Sequence, residues 1–299
     1  MDRIGIIDLG SNTFHILIVD IDKNGVFDTI HKERSFVGLA EEGLQKISEK
    51  AIIKGVQTLT HFKSLLESFH VSKFKITGTA ALRSAENKDI FIATVREQIG
   101  LDIEVIQGDR EAELIFKGVS MLHPMTGNHL IMDIGGGSVE FILVENGLNS
   151  WSKSSNIGVG VLHSAFHNSE PISKKEIDNI VGFIHDELMD LRSNADNVEI
   201  DSLIGASGSF EVVESMNGNP IYSNKISTVS LENYHQVSSR IINASFEERN
   251  RMEGLPSSRV KLIVVAMILI DVVIEMIQPK ELRISPYALK EGLLSELYT

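Results

Sequence analysis

The 299-residue sequence contains no cysteine. Disulfides, thiolate metal sites and cysteine nucleophiles are therefore excluded, and a reducing compartment such as the cytoplasm is favoured. Basic residues are scarce too: 28 Lys and Arg stand against 41 Asp and Glu, a formal net charge of −13. Nucleic acids and anionic membranes are held by basic surfaces, so neither is an expected partner. A polyanionic ligand would need a local basic cleft, with metal ions, to offset that field. Long hydrophobic runs are also missing. The most apolar stretch, 262–277, is interrupted by Asp271, far short of the roughly 20 apolar residues a bilayer crossing needs. It is expected to be a buried core helix. No Pro-rich, Ser/Gly-rich or single-charge tract points to disorder. The start, Met1-Asp2-Arg3-Ile4, runs straight into a strand pattern, so a secretory leader is not expected. No Gly-x4-Gly-Lys-Ser/Thr pattern occurs, so P-loop chemistry has no support.

What is present is a pair of closely similar loops. Ile6-Ile7-Asp8-Leu9-Gly10-Ser11-Asn12-Thr13 leads into Phe14-His15-Ile16-Leu17. Ile131-Met132-Asp133-Ile134-Gly135-Gly136-Gly137-Ser138-Val139-Glu140 leads into Phe141-Ile142-Leu143-Val144. Each is a strand ending in Asp, a tight Gly/Ser turn and a second strand. Such a turn offers consecutive N–H groups and a hydroxyl to a phosphate, because the chain without Cβ atoms approaches anion oxygens closely. The Asp suits a hard cation such as Mg²⁺. Three successive glycines weaken a hairpin by roughly 0.5–1 kcal/mol each relative to Ala, which argues for a function at the second turn. Two such loops imply two similar lobes gripping one phosphorylated ligand.

The surrounding pattern fits a duplicated α/β architecture. Strands are expected over 3–8, 14–20 and 26–36, then a helix over 48–69 whose apolar face includes Ile53, Val56, Leu59, Phe62 and Phe69. A strand (74–77), a helix (89–99), a strand (103–106) and a helix (110–121) follow. The run from His123 to Asn128 breaks the pattern and reads as an inter-lobe connection. A second meander is expected over 129–133, 139–144 and 150–156. Later helices are expected over 173–192, 258–277 and 287–298, with a strand over 281–284. The Ser173-Lys174-Lys175-Glu176 start has capping-box form.

Three further positions carry chemistry. Arg83 follows the strand ending at Thr77, and its planar, permanently charged fork pairs well with phosphate oxygens. Glu111 opens the helix after Gly108, where the dipole alone already favours a carboxylate. Gly205-Ala206-Ser207-Gly208-Ser209 feeds a helix N-terminus, a platform for an anion or nucleotide. His163 and His167 stand one helical turn apart, but no nearby carboxylate or Cys in the sequence completes a metal site.

Taken in order, residues 8–14, 77–84, 106–119, 133–140, 205–209 and 285–294 resemble the exopolyphosphatase/guanosine pentaphosphate phosphohydrolase family. That family is a branch of the superfamily of actin, sugar kinases and heat-shock ATPases. The resemblance implies an α/β fold of two ribonuclease-H-like, actin-type ATPase lobes with an interdomain cleft. The lobes are expected over 1–122, with a last helix (287–299) packing back on it, and over 123–286. By resemblance Glu111 is the catalytic base and Arg83 contacts phosphate. Gly10, Ser11, Asn12 and Thr13 would bind phosphate, as would Gly135, Gly136, Gly137 and Ser138. Gly205, Ser207, Gly208 and Ser209 would form the nucleotide-side loop, and Asp8, Asp133 and Glu140 would hold Mg²⁺ or another divalent cation. The implied reaction is hydrolysis of a terminal phosphoanhydride in polyphosphate. The alternatives are guanosine pentaphosphate as substrate, and a non-catalytic alarmone or nucleotide sensor. A homodimer is expected by analogy only. This chain departs from the family pattern at Arg110, where Glu is usual, and at Val161, where Arg is frequent. It departs again at Ser207-Gly208-Ser209, Arg259-Val260-Lys261 and Lys290. With Thr299 as its last residue, the extra helical domain of longer members is not expected.

Overall fold

The computed structural model describes residues 1–122, 125–218 and 225–298. His123 and Pro124, in the expected connection, lie outside the described residues, as does Thr299. The chain divides into two compact units: Met1–Gly118 with Leu289–Thr299, and Val119–Ala288.

In the first unit, β1 (Asp2–Leu9), β2 (Thr13–Ile21) and β3 (Phe27–Phe36) form an antiparallel meander. Helix α1 (Glu49–Ser68) follows, then β4 (Lys73–Gly78), the short α2 (Ala80–Ser84) and α3 (Lys88–Ile99). The short β5 (Glu104–Val105) leads into α4 (Gly108–Ser120). The sheet order is β3-β2-β1-β4-β5, with β4 parallel to both β1 and β5. Ile6 and Ile7, consecutive in β1, are both fully buried. That is the pattern of a central strand covered on both faces. The α1 stripe is Ala51, Gly55, Leu59, Phe62 and Leu66. Ile53, assigned to that face from the sequence, is instead 58% exposed. At 100° per residue it falls two positions off a stripe anchored on Leu59 and Phe62.

The second unit repeats the plan. Strands β6 (Asn128–Ile134), β7 (Val139–Glu145) and β8 (Leu148–Ser155) form its meander. Then come α5 (Val159–Phe166), α6 (Lys174–Glu187), α7 (Met189–Ala195), β9 (Ser202–Gly205) and α8 (Gly208–Met216). They are followed by β10 (Ser227–Val229), α9 (Leu231–Ile242), α10 (Phe246–Arg249), α11 (Ile263–Ile277) and β11 (Glu281–Ile284). The order is β10-β11-β9-β6-β7-β8, with β6, β9 and β11 mutually parallel. Read outward from β6, the neighbours match those of β1: a meander on one side and parallel strands on the other. The chain then returns to the first unit through α12 (Leu289–Ser295), which packs on β1.

Several sequence boundaries shift. The helix expected over 173–192 is two helices, because Leu188 leaves helical geometry at φ −105°, ψ 17°. Its N-terminus does carry the capping box, with both Ser173 and Glu176 bonds formed, a device contributing about 1 kcal/mol. Helix α11 starts at Ile263 rather than 258. The residues before it form tight turns, with Arg259 N–H bonded to Pro256 and Leu262 N–H to Arg259. Twelve of its residues are buried, consistent with a core helix. No helix among the described residues is long and apolar enough to cross a membrane.

Candidate active site

Parallel strands place their C-terminal ends on one edge, and loops leaving that edge converge. In the first unit the register aligns Leu9 with Gly78, and Gly78 with Val105. The loop after β1, the helix after β4 and the helix after β5 therefore share an edge. Asp8, near the end of β1, Arg83 and Glu111 lie along it. Arg83 Nη1 donates to Glu111 Oε2 at 2.8 Å and to the Ile106 carbonyl at 3.1 Å. Both side chains are largely buried, 14% and 8% exposed, so the pair is rigid rather than a loose surface contact. The Arg expected at phosphate is thus also the group that orients Glu111. Glu113, one turn position away, pairs instead with Arg110 and Lys117.

The turn between β1 and β2 is held from behind. Gly10 N–H bonds Thr13 O at 3.1 Å. The Ser11 carbonyl accepts from Ala40 N–H, and the Asn12 carbonyl accepts from Val37 and Gly38 N–H. In a trans peptide the next N–H points opposite to the carbonyl. The Asn12 and Thr13 amides are therefore turned away from residues 37–40, as an anion cradle requires.

The second turn uses the same device more fully. Gly135 O accepts from Val159 N–H (3.0 Å), Gly136 O from Gly160 N–H (2.8 Å) and Gly137 O from Gly158 N–H (3.2 Å). The N–H groups of Gly136, Gly137 and Ser138 are consequently aimed away from the start of α5. A Cβ at Gly158 would stand 2.5 Å from the backbone of Gly136 and Gly137. Only glycine permits this approach. Gly158 is the residue sequence reasoning missed here; its signal was the Ser-x-x-x-Gly run closing β8.

Around that turn the side chains satisfy one another. Glu140, 2% exposed, accepts through Oε1 from Ser138 Oγ and from Ser154 Oγ, each at 2.7 Å. The Ser138 hydroxyl proton is therefore directed to Glu140, and the groups the turn leaves facing outward are its amides. Asp133 lies directly across the ladder from Glu140. The 205–209 loop joins the same sheet edge, with Met132 paired to Gly205 and Ala206 N–H bonded to Met132 O. At its end the Arg259 guanidinium lies against Gly208, where any Cβ would collide with it. Ser207 Oγ is buried without a partner.

Asp8 differs from every other carboxylate in these two groups. Its Oδ1 is enclosed and has no hydrogen-bond partner. Burial pushes its pKa up to about 6, with Lys290 lowering it and Glu291 raising it. An orphaned buried carboxylate oxygen is costly, and a bound cation removes that cost. Among the described residues no group of three His, Asp or Glu is arranged to hold a metal unaided. Mg²⁺, however, is ordinarily bound by one or two carboxylates with the substrate's phosphates supplying the rest, so Asp8 fits such an ion. The His163–His167 pair does have a carboxylate nearby, contrary to the sequence expectation: Glu170 Oε1 is 3.5 Å from His167 Nε2. That carboxylate is committed to the buried Arg249, at 2.7 Å through both oxygens.

A family model described as the Ppx/GppA phosphatase family matches residues 17–299. A Haemophilus influenzae protein carrying the provisional name exopolyphosphatase is 28% identical over 298 residues, covering 99% of this chain and 91% of the relative. A guanosine-5'-triphosphate,3'-diphosphate pyrophosphatase of Aliivibrio fischeri is 27% identical, covering 96% of this chain but 57% of its own length. The crystal structure of an exopolyphosphatase from Cytophaga hutchinsonii superposes with a TM-score of 0.94 at 33% identity, covering 99% of this chain and 98% of that one.

Proposed function

The chain belongs to the Ppx/GppA phosphatase family, and on that premise we propose that it is an exopolyphosphatase, removing terminal phosphate from inorganic polyphosphate. It has the family's two-lobed actin-like α/β fold and is a phosphoanhydride hydrolase. The observation that carries the reading is the shared strand edge bearing the 9–13 turn, Arg83 and Glu111, with Glu111 already oriented by a buried arginine.

In the proposed mechanism the outward amides of the 9–13 turn hold non-bridging phosphate oxygens of the substrate. Positioning and charge stabilisation dominate phosphoryl transfer. Glu111 accepts a proton from the attacking water as its oxygen adds to the end phosphorus, in line with the departing phosphate oxygen. Arg83 keeps the Glu111 carboxylate in place and lends positive charge at the reacting phosphate. Phosphatases of this family acting on nucleotide phosphates generally use divalent cations. We assign Mg²⁺ to Asp8, where such an ion would neutralise phosphate charge. A cytoplasmic location and a homodimer belong to the same proposal, the former supported by the absence of cysteine.

A second reading takes guanosine pentaphosphate as substrate. It is favoured by the 205–209 platform, with Arg259 against Gly208, and by the named activity of the 57% covered relatives. Phosphate release, measured with long-chain polyphosphate and with guanosine pentaphosphate, with and without Mg²⁺, decides between the two. Release from neither, together with tight binding of guanosine tetraphosphate, would establish a sensor instead.

A further inference from the structure

We propose that residues 289–298 are a positioning element for the first unit's chemistry, in which Glu296, acting through Arg110, fixes the helical turn that presents Glu111. The inference rests on the reading of Glu111 as the base. Arg110 immediately precedes Glu111 in the first turn of α4. Its guanidinium does not point into a phosphate cradle; Nη2 reaches Glu296 at 2.6 Å and Nη1 reaches Glu113 at 2.6 Å. Lys117, two turns along α4, donates to the same Glu296 at 3.0 Å, and Lys75 of β4 stands 4.0 Å away. One carboxylate from the far end of the chain thus collects three cations from β4 and α4. Burial opposes ionisation of Glu296, but the hydrogen bonds from Lys117 and Arg110 outweigh it and leave its pKa below the usual range.

The same segment touches α4 and β1 by backbone as well as by charge. A Cβ at Gly292 would stand 1.9 Å from the Leu114 carbonyl oxygen, so α12 meets the turn directly after Glu111 in near-contact of main chains. Lys73 Nζ donates to the Leu297 carbonyl. The Tyr298 ring lies against Gly25 in the β2–β3 turn, where φ is +80°. Lys290 and the 3% exposed Glu291 are the charged neighbours felt by Asp8. Isolated surface ion pairs contribute little, but a bidentate network anchored on buried backbone contacts can hold a helix in one place. Holding matters here, because displacing a catalytic group by about 1 Å can cost on the order of 100-fold in rate.

The test is a double-mutant cycle on the full chain with Arg110→Gln, Glu296→Gln and the pair. Arg96→Ala, which breaks the exposed Arg96–Asp102 contact, serves as a control. Steady-state hydrolysis is read alongside thermal melting and hydrogen exchange of the first turn of α4. Expected are a kcat about tenfold lower in each single variant, KM within about twofold, faster exchange at 109–113, and a double variant no worse than either single one. An unchanged kcat with only a lower melting temperature, or additive losses, overturns the proposal. If the parent releases phosphate from no substrate, the functional reading fails. Exchange at 109–113 then still decides the positional claim: unchanged protection in Glu296→Gln sinks it.

Discussion

Around the 9–13 turn the neighbouring groups are ionic: Arg83 on Glu111, an unpartnered oxygen on Asp8, and Lys290 and Glu291 within its field. Around the 134–138 turn more of them bond one another, although Ser155 Oγ and Ser207 Oγ are buried without partners. Glu140 takes two serine hydroxyls, and three loop carbonyls are tied to the start of α5. The same strand–turn–strand device has thus been furnished in two ways. In the first unit the surroundings carry unbalanced charge suited to cation binding and proton transfer. In the second they build a rigid cradle of amides whose own polar groups are already spent. Duplication of a backbone motif therefore does not imply duplication of its chemistry.

The largest effect that would test this division is at Glu111. Glu111→Gln keeps the shape and a hydrogen-bond acceptor for Arg83 but removes the base. Phosphate release is expected to fall by roughly 10²–10⁴-fold with KM little changed; a loss under threefold would move proton transfer elsewhere. Next comes Asp8. Its pKa is raised to about 6 from an ordinary 3.8, so the folded chain holds a proton that the unfolded chain releases in that window. The stability tied to this proton is complete below about pH 4 and is lost as pH rises through about 6. In metal-free protein Asp8→Asn is therefore expected to be stabilising at pH 7.5 by as much as about 3 kcal/mol, and near neutral at pH 4. Urea midpoints at the two pH values measure this. The same variant should lose the stabilisation that added Mg²⁺ gives the parent.

Effects in the second unit are expected to be structural and smaller. Gly158→Ala forces a Cβ against the Gly136 and Gly137 backbone and should cost about 1–3 kcal/mol. It should also raise KM for polyphosphate more than it lowers kcat. A kcat-only defect would contradict the cradle role. Ser154→Ala removes one of two donors to Glu140 and should cost about 1 kcal/mol, with activity within a few-fold, read by melting and initial rates.

Much of this was legible in the sequence, because it lay in local pattern. Continuous apolar runs flanking Asp8 and Asp133 located both meanders, and Ser173 with Glu176 located the start of α6. What escaped was long-range. The backing segments 37–40 and 158–160 supply amides to carbonyls far away in the chain, a relation no periodicity records. Arg83 reads as a phosphate ligand from its charge alone; that it also clamps Glu111 depends on β4 and β5 lying side by side. Helices α9 and α10 and strand β10 went unread. Their stretch mixes charge and apolar residues without a long repeat; α9 is settled by packing on α11 and β10 by its ladder with β11. Ile53 shows the opposite error, where a plausible apolar spacing lost to a stripe set by larger neighbours.

The return of α12 to β1 also bears on how the chain is made. Its first unit is completed only after its own early strands have left the ribosome, since the helix lying on β1 is encoded some 280 residues later. Synthesis from the N-terminus ordinarily lets leading domains mature first, and long sequence separation slows closure. Here we predict the reverse order, with residues 119–288 reaching protection before 1–118. Pulsed hydrogen exchange during refolding would show it, and earlier protection of β1 than of β6 would refute it.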